Sequence, residues 1–390
     1  MDPIDVGSVL HSLSRCAPDD VPDAIARAAA LTGAFDLTIY LVDFAQSMLV
    51  PVPDIRPHVD VPVAVPVDGS PEGEAYLGRR MVTSSPDGAT RICVPVIEGS
   101  ECTGVLAFSQ TGPLVDGTSR RCEELGMLAG AAIVVAARST DLFNVVRRRK
   151  AMSLPASIQW GLLPPLQVAA PGVSSNGVLE PAYDVGGDCF DHAVNGQTAD
   201  VVIMDAMGHG LGSSMLSSLA IETYRHDRRE GQPLAVTYGH VDEVLGETFG
   251  DDWFVTGQMA KLDLQAGRLE WTNAGHPLPL LVRGERVLAQ LECRPSLPWG
   301  LGGELVEVAE SALRPGDSVV FYTDGMFEGR DSSGTEFGMD RFIDAIERAS
   351  SERPPAGVSL RSAVRHIVEF QGEALRDDAT VVWLTWELSA

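Results

Sequence analysis

VVIMDAMGHG, residues Val201–Gly210, is apolar at every one of its first four positions and then stops at an aspartate followed by glycines. A strand exposed on one face alternates apolar and polar side chains. An unbroken run therefore marks a strand buried on both faces, which needs a layer of structure above it and another below. Gly208 and Gly210 permit a tight turn, and a helix is expected from about Gly212, with Met215, Leu216, Leu219, Ala220 and Thr223 on its packed face. Asp205 is left at the rigid end of a buried strand.

Three further stretches repeat this arrangement: VGGDCFD at Val185–Asp191, VFYTDGMFEG at Val320–Gly329, and RDDAT at Arg376–Thr380. Asp317–Thr323 reads as a buried strand delivering Asp324, and Thr380–Trp386 as the strand after Asp377 and Asp378. A single Asp-Gly after a strand is ordinarily a turn. Four carboxylates at four strand ends of one domain form a set of hard oxygen donors that repel one another unless a divalent cation neutralises them. Such a cluster points to a bound divalent cation. An all-carboxylate set favours Mg²⁺ or Mn²⁺ over zinc.

The order GGD-x-x-D, D-x-M-G-H-G, N-A-G-H-P, Y-T-D-G and D-D-A-T resembles the SpoIIE-like, RsbU-like branch of the metal-dependent (PPM-type) serine/threonine protein phosphatases, from about Leu154 to the C-terminus. The resemblance implies an α+β chain whose C-terminal domain, residues 154–390, is an α-β-β-α sandwich holding two divalent cations, Mn²⁺ or Mg²⁺. Carried over position by position, the metal-binding and catalytic aspartates are Asp188, Asp205, Asp324 and Asp377, with the backbone carbonyl of Ala206 as a further ligand. His209 and His276 lie inside motifs and are expected to support turns rather than bind metal. Cys189 stands where the family usually has an aromatic residue. No arginine occurs in 180–185, where eukaryotic relatives grip phosphate. The implied activity is hydrolysis of phosphoserine or phosphothreonine on a protein, a STAS-type anti-sigma-factor antagonist by resemblance. The alternative is a catalytically silent scaffold that binds regulatory partners; a metal-dependent nuclease would need a basic groove.

The net charge of −25 argues against nucleic acid or an anionic membrane as partner. Residues 151–390 hold 35 acidic and 16 basic side chains, a balance of −19, most of which is solvated surface. The six cysteines show no paired spacing and read as reduced thiols. Without a signal-like N-terminus or an apolar run longer than Leu125–Ala137, the expected compartment is the cytoplasm.

Residues 1–118 resemble a GAF sensory domain: an alanine-rich helix at Val21–Thr32, then strands at Phe35–Val42, Ala89–Val96 and Thr103–Phe108. Such a domain would take a small-molecule or protein signal, or serve as an interaction module without a ligand. Between the two domains, residues 119–153 are expected to form one helix. Leu125, Leu128, Ala132, Val135, Leu142 and Val146 recur near a 3.5-residue spacing, the pattern of a coiled coil joining a homodimer or of one packed amphipathic helix.

Overall fold

The computed structural model describes residues 11, 13, 15–31, 33–53, 62–84, 90–110, 117–184, 186–250, 252–303, 306–351, 356–372 and 378–387. Asp377, together with Val185 and Arg376 of the quoted motifs, lies outside the described residues. The chain divides into two compact units, Met1–Ala151 and Met152–Ala390.

The first unit is an antiparallel sheet of six strands, β1 (Ala34–Val42), β2 (Met48–Pro51), β3 (Val65–Pro66), β4 (Val82–Ser84), β5 (Thr90–Glu98) and β6 (Glu101–Gln110), in the order β3-β2-β1-β6-β5-β4. Alternate residues face opposite cores. Leu37, Ile39, Leu41, Ile92, Val94 and Val96 pack on helices α1 (Val21–Ala30), α3 (Thr118–Ala137) and α4 (Leu142–Arg147). Tyr40, Val42, Cys93, Val105 and Ala107 pack on the other side with Val67 and with Ala75 and Tyr76 of α2 (Pro71–Gly78).

A continuous helix over 119–153 does not form. Helix α3 ends at Ala137, Thr140 bonds Asp19 and receives the Leu142 amide, α4 covers six residues, and 148–153 is not helical. The cause is close packing on the sheet. A Cβ at Gly126 would lie 2.4 Å from the Pro95 carbonyl oxygen, and one at Gly130 equally near that of Ile97, so α3 rests directly on β5. Its buried stripe is Cys122, Leu125, Ala129, Ile133 and Ala136, a 3.6-residue repeat that places the helix in the first unit's core. Of the expected seam, Leu128, Ala132 and Val135 are left on the far flank.

The second unit is a four-layer sandwich. One sheet contains β9 (Cys189–Asn195), β10 (Thr198–Ala206), β11 (Val255–Asp263), β12 (Arg268–Ala274) and β15 (Ala309–Ala312), in the order β15-β12-β11-β10-β9. The other contains β7 (Gln167–Ala170), β8 (Val173–Glu180), β13 (Leu280–Arg283), β14 (Arg286–Gln290), β16 (Ser318–Tyr322) and β17 (Ala379–Trp386), in the order β14-β13-β16-β17-β8-β7. All pairings within both sheets are antiparallel.

The unbroken apolar runs are explained by burial on two sides. Val201 and Ile203 of β10 point inward to meet Val319 and Phe321 of β16 and Val382 and Leu384 of β17. Val202 and Met204 point outward into a core shared with α6 (Leu211–Arg229) and α7 (Leu234–Phe249). Val320, Tyr322, Val381 and Trp383 face outward from the second sheet against α8 (Met339–Ser351) and α9 (Ala356–Gln371). The α-β-β-α order expected from the sequence is the observed one.

Helix α6 begins at Leu211, after Gly208 and Gly210 at φ of 86° and 82°. Its buried face is Ser213, Leu216, Ser217, Ala220, Ile221 and Tyr224, so Met215 does not pack inward as expected and is 52% exposed. The expected face was one residue off, because two of these side chains, Ser213 and Ser217, are small serines that carry little hydrophobic signal.

Candidate functional site

The four acidic stretches meet at one end of the sandwich, and backbone contacts hold them together. Pairing of Met204 with Cys189 sets Asp188 beside Asp205 at the adjoining ends of β9 and β10. Gly187 lies against the end of β10 so closely that a Cβ there would stand 2.3 Å from the Ala206 carbonyl oxygen. From the other sheet, the Thr323 amide donates to the Thr380 carbonyl, bringing the end of β16 to the start of β17. A Cβ at Gly325 would fall 1.8 Å from the Asp378 carbonyl oxygen, so only glycine lets the Asp324–Gly325 turn sit there.

The two sheets are joined across this end by the Asp378 carboxylate. Its Oδ2 accepts from the amides of Gly186 (2.7 Å), Gly187 (2.7 Å) and Asp188 (3.1 Å). This arrangement fixes the GGD loop onto the strand that follows it by about 190 residues. Thr323 adds a second link: its hydroxyl donates to Asp188 Oδ2 at 2.8 Å while accepting from the Thr380 amide at 2.9 Å. Gln159 of α5 (Leu154–Leu162) is wholly buried and donates to both the Asp188 carbonyl (3.0 Å) and the Ser217 hydroxyl (2.8 Å). The lead-in helix thus bonds directly to the loop carrying Asp188.

Asp188 is 2% exposed. Burial, then the neighbouring Asp205 and Asp378 carboxylates, push its acid well above the usual carboxylate range, against the opposing pull of threonine hydroxyls. With protein groups alone the charged form of Asp188 is disfavoured. A divalent cation removes the same repulsion and leaves the group ionised, so the donor chemistry fits such an ion. Among the described residues, no three His, Cys, Asp or Glu side chains converge closely enough to hold a metal by themselves. Asp205 and Asp324 are both partly accessible at strand ends.

The motif histidines divide. His276 is buried, its amide donates to Asn273 Oδ1 (2.7 Å), its carbonyl accepts from Asn273 Nδ2 (2.9 Å), and its ring meets the Thr256 hydroxyl (3.0 Å). Burial pushes its imidazole down to about 3, so the ring is neutral and braces the NAGHP turn. His209 is exposed on the glycine turn after Asp205. Asp191 is structural: Arg225 and Arg228 each donate to its Oδ2 at 2.8 Å, and Arg225 also donates to the Leu162 carbonyl. Cys189 is buried in the core under α6 and serves packing.

Reading the sequence missed Asp378, Thr323 and Gln159 as parts of this site. The doubled acid of RDDAT was the available signal for the first. Gln159, in the stretch IQWGLLP at residues 158–164, was the signal for the last.

Residues 195–387 match the family model described as Stage II sporulation protein E (SpoIIE), which spans Asp205, Asp324 and the RDDAT stretch but begins after Asp188. Stage II sporulation protein E of Priestia megaterium is 24% identical over 201 residues, covering 51% of this chain and 33% of that protein. Phosphoserine phosphatase RsbP of Bacillus subtilis is 23% identical over 151 residues, 37% of each. The SiaA-PP2C domain of Pseudomonas aeruginosa aligns in structure with a TM-score of 0.48 and 21% identity, over 55% of this chain and 86% of that one. The chain spans between about a third and a half of the length of these and similar curated relatives.

If Asp378 is the clamp of the GGD loop, Asp378→Ala leaves three amides without their acceptor. Hydrogen exchange at residues 186–188 is then expected to quicken roughly 10- to 100-fold, with Asp378→Asn intermediate. Unchanged protection of these amides in Asp378→Ala would show that the loop is held by something else.

Proposed function

We propose, since the second unit belongs to the SpoIIE-like branch of the PPM phosphatases, that this chain is a protein phosphatase removing phosphate from phosphoserine or phosphothreonine. The observation that carries the reading is the convergence of the GGD, DAMGHG, TDG and DDAT stretches around the buried carboxylate of Asp188. Asp188, Asp205, Asp324 and Asp377, with the Ala206 carbonyl, would hold two divalent cations, Mn²⁺ or Mg²⁺. When bound, these supply activation of water and screening of the phosphate's charge. The protein's own part is positional. Thr323 and Asp378 orient the Asp188 loop, the β10 and β16 ends present Asp205 and Asp324, and Gln159 ties the lead-in helix to the same loop. Because these groups sit on strand ends, little reorganisation is needed for the reaction.

The name phosphoserine phosphatase borne by one relative supports a phosphoserine substrate, and a STAS-type protein remains our proposed one. We assign the first unit a GAF-like regulatory role, on the strength of its helix-flanked antiparallel sheet. Cytoplasmic placement is proposed from charge and composition; among the described residues no helix is long and apolar enough to cross a membrane. A homodimer is also proposed, now through one flank of α3. There Leu128, Ala132 and Val135 line an apolar groove of about 320 Å³ with Leu13, Cys16 and Val21, and Val135 is 67% exposed.

Two measurements check these readings. Hydrolysis of p-nitrophenyl phosphate should vanish after EDTA and return with Mn²⁺ or Mg²⁺, while Asp205→Asn and Asp324→Asn should each lower turnover by about 100-fold or more with the fold intact. Near-normal turnover in either variant at saturating Mn²⁺ would remove that residue from the site. In sedimentation, the wild type is expected to be dimeric at micromolar concentration and Leu128→Asp/Val135→Asp monomeric, because charge enters an apolar contact. A monomeric wild type ends the dimer proposal.

A further inference from the structure

Exposed apolar side chains are concentrated beside the acidic cluster. Met207 follows Asp205 by two residues and is 41% exposed, Leu211 opens α6 at 46%, and Met215 lies one turn further along the same face at 52%. A second bank comes from the loop at 297–301, where Leu297 is 52% and Leu301 37% exposed. Both banks adjoin Trp253. A Cβ at Gly212 would touch its ring at 2.9 Å, and one at Gly300 would stand 2.7 Å from its carbonyl oxygen.

The loop belongs to the site end of the sheet. Val255, the partner of Ala206 in the β10–β11 pairing, exchanges both backbone hydrogen bonds with Trp299. Trp299 therefore lies two strand spacings, about 10 Å, from the residue after Asp205.

These side chains are held outward by structure rather than left by chance. The Asp242 carboxylate accepts from the amides of Gly300 (2.7 Å), Gly302 (3.1 Å) and Gly303 (3.1 Å), and the Tyr238 hydroxyl donates to the Leu297 carbonyl. Trp299 is wholly buried between its two exposed leucine neighbours. With the loop pinned by its polar groups, Leu297 and Leu301 cannot fold into the core. Leu211 and Met215 are likewise on the face of α6 opposite the one that packs on the sheet.

We infer that this two-banked surface docks the polypeptide around the phosphorylated residue, by taking apolar side chains that flank a phosphoserine. The inference rests on the phosphatase reading of the acidic cluster and adds to it a preference in substrate sequence. Position selects this occupant, since a chain whose phosphoserine reaches the acidic cluster lays its flanking residues across the adjoining surface. A balance of −19 over residues 151–390 offers no net positive field to draw a phosphate in, so electrostatic steering cannot supply affinity. Contact burial must, and large apolar side chains exposed next to a reaction centre are its source. Met207 and Met215 suit a surface that accepts more than one flanking shape.

The test compares two nine-residue phosphoserine peptides, one with leucines two positions to either side and one with serines there, alongside p-nitrophenyl phosphate, all with Mn²⁺. Wild-type kcat/KM is expected to favour the leucine peptide roughly 10-fold. Leu211→Ser/Met215→Ser should bring that ratio to about 2 or below, and Leu297→Ser should lower it separately. Turnover of p-nitrophenyl phosphate, which has no flanks, should be unchanged in both. Equal use of the two peptides by wild type, or a preference that survives both variants, overturns the docking surface and leaves the phosphatase reading standing. Failure of wild type to hydrolyse p-nitrophenyl phosphate at all would overturn the phosphatase reading, and this inference with it.

Discussion

Everything at the acidic end of this molecule depends on one carboxylate that turns away from solvent to collect three backbone amides. Asp378 takes the N–H groups of Gly186, Gly187 and Asp188 at 2.7–3.1 Å, and in doing so ties the first acidic stretch to the last. Unpaired, the buried donors of Gly187 and Asp188 would each cost about 1–3 kcal/mol. The same contact places a second negative charge close to Asp188, in a setting that already disfavours charge. Local structure is thereby satisfied while electrostatics is left in deficit, and a divalent cation is the natural complement of that deficit.

The sandwich makes such a cluster affordable in conformational terms. Strand ends are the most rigid places from which a side chain can still reach the surface, and two sheets packed face to face bring two sets of ends together. Close glycine contacts then determine how near the loops can come, Gly187 on the Ala206 carbonyl and Gly325 on the Asp378 carbonyl. Gln159 extends the same framework to α5, the first helix of the second unit. A displacement of that helix would be felt at the Asp188 loop without crossing any intervening side chain.

The layered fold was legible because burial on both faces leaves a plain signature: Val201–Met204 and Ser318–Tyr322 cannot alternate when cores lie above and below. The positions of Asp205 and Asp324 followed from where those runs stop. Less could be read where two residue types offered the same signal. Adjacent acids at 377 and 378 look alike in sequence, and only the fold shows that Asp378 faces the amides. The helix of residues 118–137 carried a spacing compatible with both 3.5 and 3.6 residues. Gly126 and Gly130, which bring it onto β5, decided for the sheet. Serines 213 and 217 hid the true inner face of α6, so Met215 was assigned to the core when it belongs to the surface.

The central proposal is that this end of the sandwich binds divalent cations, with Asp188, Asp205 and Asp324 among their ligands. Crystals of the full chain grown with Mn²⁺ and measured at the manganese absorption edge test it directly. The account predicts two anomalous peaks bounded by these three carboxylates, with the Asp377 carboxylate and the Ala206 carbonyl completing their ligands. A well-ordered site with no anomalous peak among these groups, or with manganese bound only elsewhere, would contradict it.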